Sequence, residues 1–126
     1  MLNNIFWVNQ YERITLKFLF FNTEKDMHII AYPMLRDFFT KHPTSESSLN
    51  ALYKILKRTD FSNFNELRAV FPSADVVKNE QGKNLTVFNI HGNEVRLIVA
   101  IHYNTKTVYI RDVLTHADYD KGRWKQ

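Results

Sequence analysis

The stretch YIRDVLTHADYDKGRWK, from Tyr109 to Lys125, concentrates side chains that can hold an anion or move a proton. Arg111 interrupts an apolar, β-rich run, and His116, Tyr119, Lys121, Arg123 and Lys125 follow it closely. A second apolar run, EVRLIVAIHY, carries Arg96 and His102. Strand alternation puts Val95, Leu97, Val99 and Ile101 on one face and leaves Arg96 and His102 on the other. In TVYIRDVL the same rule groups Val108, Ile110 and Leu114 against Tyr109 and Arg111. If the two runs pair as neighbours, Arg96 and Arg111 project from the same open side of the sheet. Guanidinium forks match phosphate oxygens, and imidazole titrates near neutrality, so this grouping beside His116 points to a phosphate-binding site.

Each residue alone has a plainer reading. An arginine on an exposed sheet face is ordinarily solvated or paired, and Glu94 or Asp112 lies close in sequence. His116 reads equally as a turn residue, and Tyr119 as a packing residue. Lys54, Lys57 and Arg58 fall on the polar side of a helix and read as a solvated face. His28, His42, His91 and His102 are too scattered for a metal shell, and no H-x-x-x-H pair occurs. Without cysteine there is no disulfide, no thiolate zinc site and no thiol nucleophile, a composition that fits a reducing cytoplasm. Neither a G-x-S-x-G elbow nor a Gly-rich phosphate loop is present. No metal and no cofactor are therefore expected.

Elements must hold these groups in place, and 126 residues with 44% hydrophobic content suffice for one core. The net charge of +4 lies wholly in residues 27–126, because Arg13, Lys17 and Lys25 cancel Glu12, Glu24 and Asp26. A pI near 9.4 permits an anionic partner, nucleic acid above all. Residues 1–26 include ITLKFLFF, which is too short to span a bilayer and lacks the flanks of a signal peptide. They read as an extension outside the domain, with Met27 a possible true start and 27–126 the domain proper. MHIIA reads as a short strand, and Pro33 suits the first position of a helix carrying Met34, Leu35, Phe38 and Phe39 and ending at His42-Pro43. Thr44 or Ser45 should cap a second helix, with Leu49, Leu52, Tyr53 and Leu56 on one face, through about Arg58. Asn63 and Glu66 resemble a capping box on a short third helix that Pro72 ends. Thereafter the period changes to two: ADVV, LTVFNI, EVRLIVAIHY and TVYIRDVLTH, joined by KNEQGKN, HGN and NTK, form an antiparallel meander. The expected fold is α+β, an antiparallel sheet of four to five strands packed on two to three N-terminal helices.

At this point AVFPSADVV, VFNIHGNEVRLIVAIHY and VYIRDVLTHADYDKGRWK resemble the HigB family of toxin–antitoxin ribonucleases, similar in fold to RelE-type mRNA interferases. The resemblance spans Met27 to Lys125 and is most specific in VFNIHGNEVRLI and YIRDVLTHADYD; residues 1–26 have no counterpart in it. It implies a ribosome-associated, metal-independent ribonuclease acting on translated mRNA, neutralised by a helix-turn-helix, HigA-like antitoxin. Cleavage through the RNA's own 2′-hydroxyl needs a base, cationic donors for the phosphate and an acid for the leaving oxygen. On this resemblance His116 transfers the proton, and Arg96 and Arg111 clamp the scissile phosphate. Tyr119 orients the nucleophile or stacks on a base, and Lys121, Arg123 and Lys125, with His102 and Tyr109, hold flanking RNA. The alternative is a non-catalytic RNA- or protein-binding module using the same face. A DNA-binding regulator is weaker, since no helix-turn-helix pattern is evident.

Overall fold

A computed structural model of the chain describes residues 27–90 and 94–126. The expectations for residues 1–26, for the HGN turn and for His91 lie outside these described residues. Strand β1 (His28–Ile30) leads into helix α1 (Tyr32–Lys41), with Pro33 in its first turn. Ala31 makes the corner at φ 76°, a left-handed conformation that a residue with a Cβ adopts at some cost. Leu35 points into the core, and the helix stops at His42 because a residue before proline is disfavoured in helical geometry. A single 3-10 turn (Pro43–Ser45) joins it to α2 (Glu46–Arg58), whose Leu49, Leu52, Ile55 and Leu56 are buried. Ser45 stands at the N-cap of α2 but does not cap it with its side chain. Held in the preceding turn, its hydroxyl donates back to the carbonyl of His42 at 2.7 Å. Helix α3 (Phe64–Val70) is capped as its sequence suggests: the Asn63 side chain accepts from Glu66 N–H at 2.9 Å, and Glu66 Oε1 accepts from Ser62 N–H at 2.8 Å.

Four antiparallel strands follow: β2 (Asp75–Lys78), β3 (Asn84–Ile90), β4 (Val95–His102) and β5 (Thr107–Thr115). The sheet order is β1-β5-β4-β3-β2, and β1 lies parallel to β5, giving a mixed five-stranded sheet. The meander runs antiparallel because only four or five residues separate its successive strands; β1 is joined to β5 only through the rest of the domain and escapes that constraint. The helices cover one sheet face, where Phe88, Val95, Leu97, Val99, Val108 and Ile110 meet Leu35, Leu49, Leu56, Phe61 and Leu67.

The opposite face is not open, which corrects the sequence reading. Leu85, Val87 and Ile98 form a second apolar cluster there, sealed by Trp124, with Leu114 and Tyr119 packed against it. After β5 the chain turns into a short helix, α4 (His116–Asp120), then a 3-10 turn (Arg123–Lys125) that lays Trp124 on the sheet. Leu114 joins this face rather than that of Val108 and Ile110 because strand pairing shifts between Ile98 and Val99. Ile98 faces Asp112 and Val99 faces Ile110, so Arg111 is the extra residue of a β-bulge. One added residue reverses the alternation beyond it.

Candidate active site

The bulge turns Arg111 into the residue shared by two depressions on this face. One, of about 530 Å³, is lined by Arg111, Asp112, Leu114, Asp118, Lys121, Arg123, Trp124 and Gln126. Its three cationic side chains outnumber its two acidic ones, and Lys121 Nζ lies 3.3 Å from Asp118 Oδ1. The other, of about 550 Å³, has an apolar floor of Leu85, Ala100 and Ile101 and a rim of Lys83, Asn84, His102, Tyr109 and Arg111. Tyr109 is exposed and meets His102 edge to face, with ring centroids 5.4 Å apart. A guanidinium between a basic basin and an aromatic one has the chemistry to meet a single-stranded nucleic acid.

Arg96 is placed differently from the sequence expectation. It is only 7% exposed, lines neither depression, and its guanidinium carbon lies 5.3 Å from the centre of the Tyr119 ring. Its Nη1 also donates to the carbonyl of Val95 at 3.5 Å. The expected pair of open guanidiniums is thus one exposed arginine and one buried beneath a tyrosine, because α4 and Trp124 cover this part of the sheet. Tyr119 stacks on Trp124 with centroids 4.9 Å apart and an interplanar angle of 14°. Trp124 Nε1 donates to the Tyr119 carbonyl at 2.9 Å. Burial pushes the Tyr119 phenol above its ordinary pKa; Arg96 pulls it down, while Asp75 and Asp120 add to the rise. Tyr119 is therefore a neutral hydrogen-bond donor near neutral pH, unsuited to act as a base.

His116 opens α4, with Nδ1 3.0 Å from Asp120 Oδ2 and a side chain half exposed. It lines neither depression. Of the residues read as RNA-binding, Lys121 and Arg123 share the basic basin, and His102 and Tyr109 share the aromatic one. Lys125 Nζ lies 5.6 Å over the Trp124 ring, and its backbone carbonyl accepts from Glu80 N–H at 2.8 Å. Sequence reasoning gave no role to Trp124, Asp120 or Lys83. The first two carried signals: an aromatic residue inside a basic tail, and an acid four positions after a histidine. Asp112, beside Arg111, has its carboxyl raised above the usual range by burial, with Arg111 opposing the shift. No group of three or more His, Asp or Glu side chains is placed to hold a metal ion among the described residues.

The fold and this basic, aromatic face define a class of small proteins, and comparison with known families names it. Residues 45–122 match the HigB toxin family, described as the RelE-like toxic component of a toxin–antitoxin system. Over 95 residues the chain is 34% identical to the mRNA interferase HigB of Escherichia coli O6:H1 strain CFT073, covering 75% of this chain and 90% of the relative. It is 37% identical over 94 residues to the mRNA interferase toxin HigB of Escherichia coli K12, covering 75% of this chain and 88% of the relative. The mRNA interferase HigB of Shigella flexneri matches to the same extent. The chain belongs to the HigB family of RelE-like toxins.

Proposed function

We propose that this protein is the toxin of a type II toxin–antitoxin pair and acts as an mRNA interferase, cleaving mRNA on the translating ribosome in the cytoplasm without a metal or cofactor. Membership of the HigB family supports the class, and relatives named mRNA interferases support the activity. Arg111 carries the reading within the molecule: a bulge places an exposed guanidinium where a cationic and an aromatic depression meet. In this scheme Arg111 holds the scissile phosphate, and His116 takes the 2′-hydroxyl proton. Attack by O2′ on phosphorus expels O5′, which is protonated by water, leaving a 2′,3′-cyclic phosphate and a 5′-hydroxyl. Tyr119, held protonated and packed against Trp124, donates a hydrogen bond to the phosphate from its hydroxyl. Arg96 lies behind it and stabilises the ring from below. Lys121, Arg123 and Lys125 hold flanking phosphates, while His102 and Tyr109 take a neighbouring base. A helix-turn-helix, HigA-like antitoxin would neutralise the toxin.

End mapping of mRNA after incubation with the purified protein and translating ribosomes tests this reading. Cyclic-phosphate and 5′-hydroxyl ends support it. Intact mRNA despite ribosome binding would favour the non-catalytic module. The burial of Arg96 is the observation on that side, since it leaves one rather than two predicted guanidiniums at the surface.

A further inference from the structure

His116 and Asp120 stand four positions apart in α4, on one face of a single helical turn. A helix this short does not hold itself together, so its shape is imposed from outside. The backbone N–H of His116 donates to the carbonyl of Glu94 at 2.8 Å, and Thr115 Oγ1 accepts from Asp118 N–H at 3.2 Å. At the far end the carbonyl of Tyr119 accepts from Gly122 N–H at 3.1 Å and from Trp124 Nε1 at 2.9 Å. Contacts on both sides of the turn thus determine where the Asp120 carboxylate meets the imidazole.

From the 3.0 Å contact between Asp120 Oδ2 and His116 Nδ1 we infer that Asp120 is a positioning residue, holding the neutral ring with its proton on Nδ1 and freeing Nε2 to accept the 2′-hydroxyl proton. The inference rests on the mRNA-interferase reading and adds to it the group that makes His116 a base. A neutral imidazole has one donor and one acceptor nitrogen, and the partner of one decides the role of the other. A carboxylate behind Nδ1 fixes that choice, limits ring rotation, and favours the imidazolium that forms once Nε2 has taken the proton. It also reaches Tyr119 electrostatically, adding to the burial that keeps the phenol protonated. One side chain therefore biases both neighbours toward their proposed roles. Both members of the pair are half exposed, so the contact adds little to stability, and its consequence is orientation.

The test uses the full chain with Asp120→Asn, Asp120→Glu and His116→Gln, on the mRNA substrate that the unsubstituted protein cleaves. Ring ¹⁵N shifts of His116 should report Nδ1–H in the unsubstituted protein and a loss of that preference in Asp120→Asn. The kcat of Asp120→Asn should fall about 10-fold or more, part of the 10²–10⁴ that a positioned acid–base group supplies, with KM little changed. Asp120→Glu, whose longer side chain still reaches Nδ1, should recover much of the rate. If His116→Gln is inactive while Asp120→Asn keeps the original tautomer and kcat, the inference on Asp120 is overturned and the parent reading stands. A fully active His116→Gln protein would overturn the role of His116 and this inference with it.

Discussion

Arg111 is exposed and Arg96 is buried, and that difference separates what their loss should do. Arg111→Ala should lower the mRNA cleavage rate by about 10²-fold, as removal of one donor to a developing charge does, with the fold intact. Arg111→Lys should recover little, because a point charge does not reproduce the fork. Circular dichroism alongside the cleavage assay checks both parts, and an unchanged rate would return Arg111 to the solvated surface. Asp112 gives a prediction in pH. Burial raises its carboxyl above its value in the unfolded chain, so the folded state binds the proton more readily. Its contribution to stability is complete below the unfolded-state pKa and is lost as pH rises through the higher folded-state value. Asp112→Asn should therefore raise the thermal midpoint at neutral pH, by no more than the equivalent of about 1 kcal/mol given its partial exposure, and the advantage should vanish in acid. Melting curves across that range decide the point.

Among the elements, the bulge in β5 and the strap formed by α4 and Trp124 decide the character of the site. The bulge makes Arg111 the residue without a cross-strand partner and sends Leu114 to the face that Trp124 covers. The strap then turns a polar-tolerant face into a half-built second core. Trp124 is 8% exposed, stacks on Tyr119, and sits among Leu85, Val87 and Ile98. Trp124→Ala should cost about 3 kcal/mol or more, since burying an indole and filling its cavity are both lost. In a domain of this size that is a fall in melting temperature of roughly 10 °C or more. Activity should fall as well, because Tyr119 loses the ring it stacks on and Arg96 loses its cover. Trp124→Phe keeps a ring against Tyr119 but loses the Nε1 bond and part of the buried surface, so it should cost about 1–2 kcal/mol, less than Trp124→Ala. Calorimetry of the two variants checks that order.

For the whole molecule, the described residues share one main core that begins at Met27. Met27 is 1% exposed, its N–H donates to the Lys57 carbonyl at 2.8 Å, and β1 pairs with β5. We propose that a chain beginning at Met27 folds and keeps the cleavage activity of the full chain. A Met27 chain several kcal/mol less stable in denaturant titration would show that the segment contributes to the sheet. How far the sequence alone reached follows from the range of the forces involved. Helix limits, the Asn63 cap and the meander were legible because proline geometry, side-chain capping and strand alternation act over a few residues, and the resemblance in YIRDVLTHADYD pointed to the family. Local signals did not reveal the parallel seat of β1, the extra residue at Arg111, or the burial of Arg96 beneath Tyr119. Each is set by distant segments: β1 lies beside a strand near the other end of the chain, the shift at Arg111 shows only against Ile98 and Val99, and Arg96 is covered by a strap that turns back after β5. Alternation told which side of β4 carries arginine, and tertiary packing decided that Arg96 on this side would be buried, because Trp124 found apolar surface there to cover.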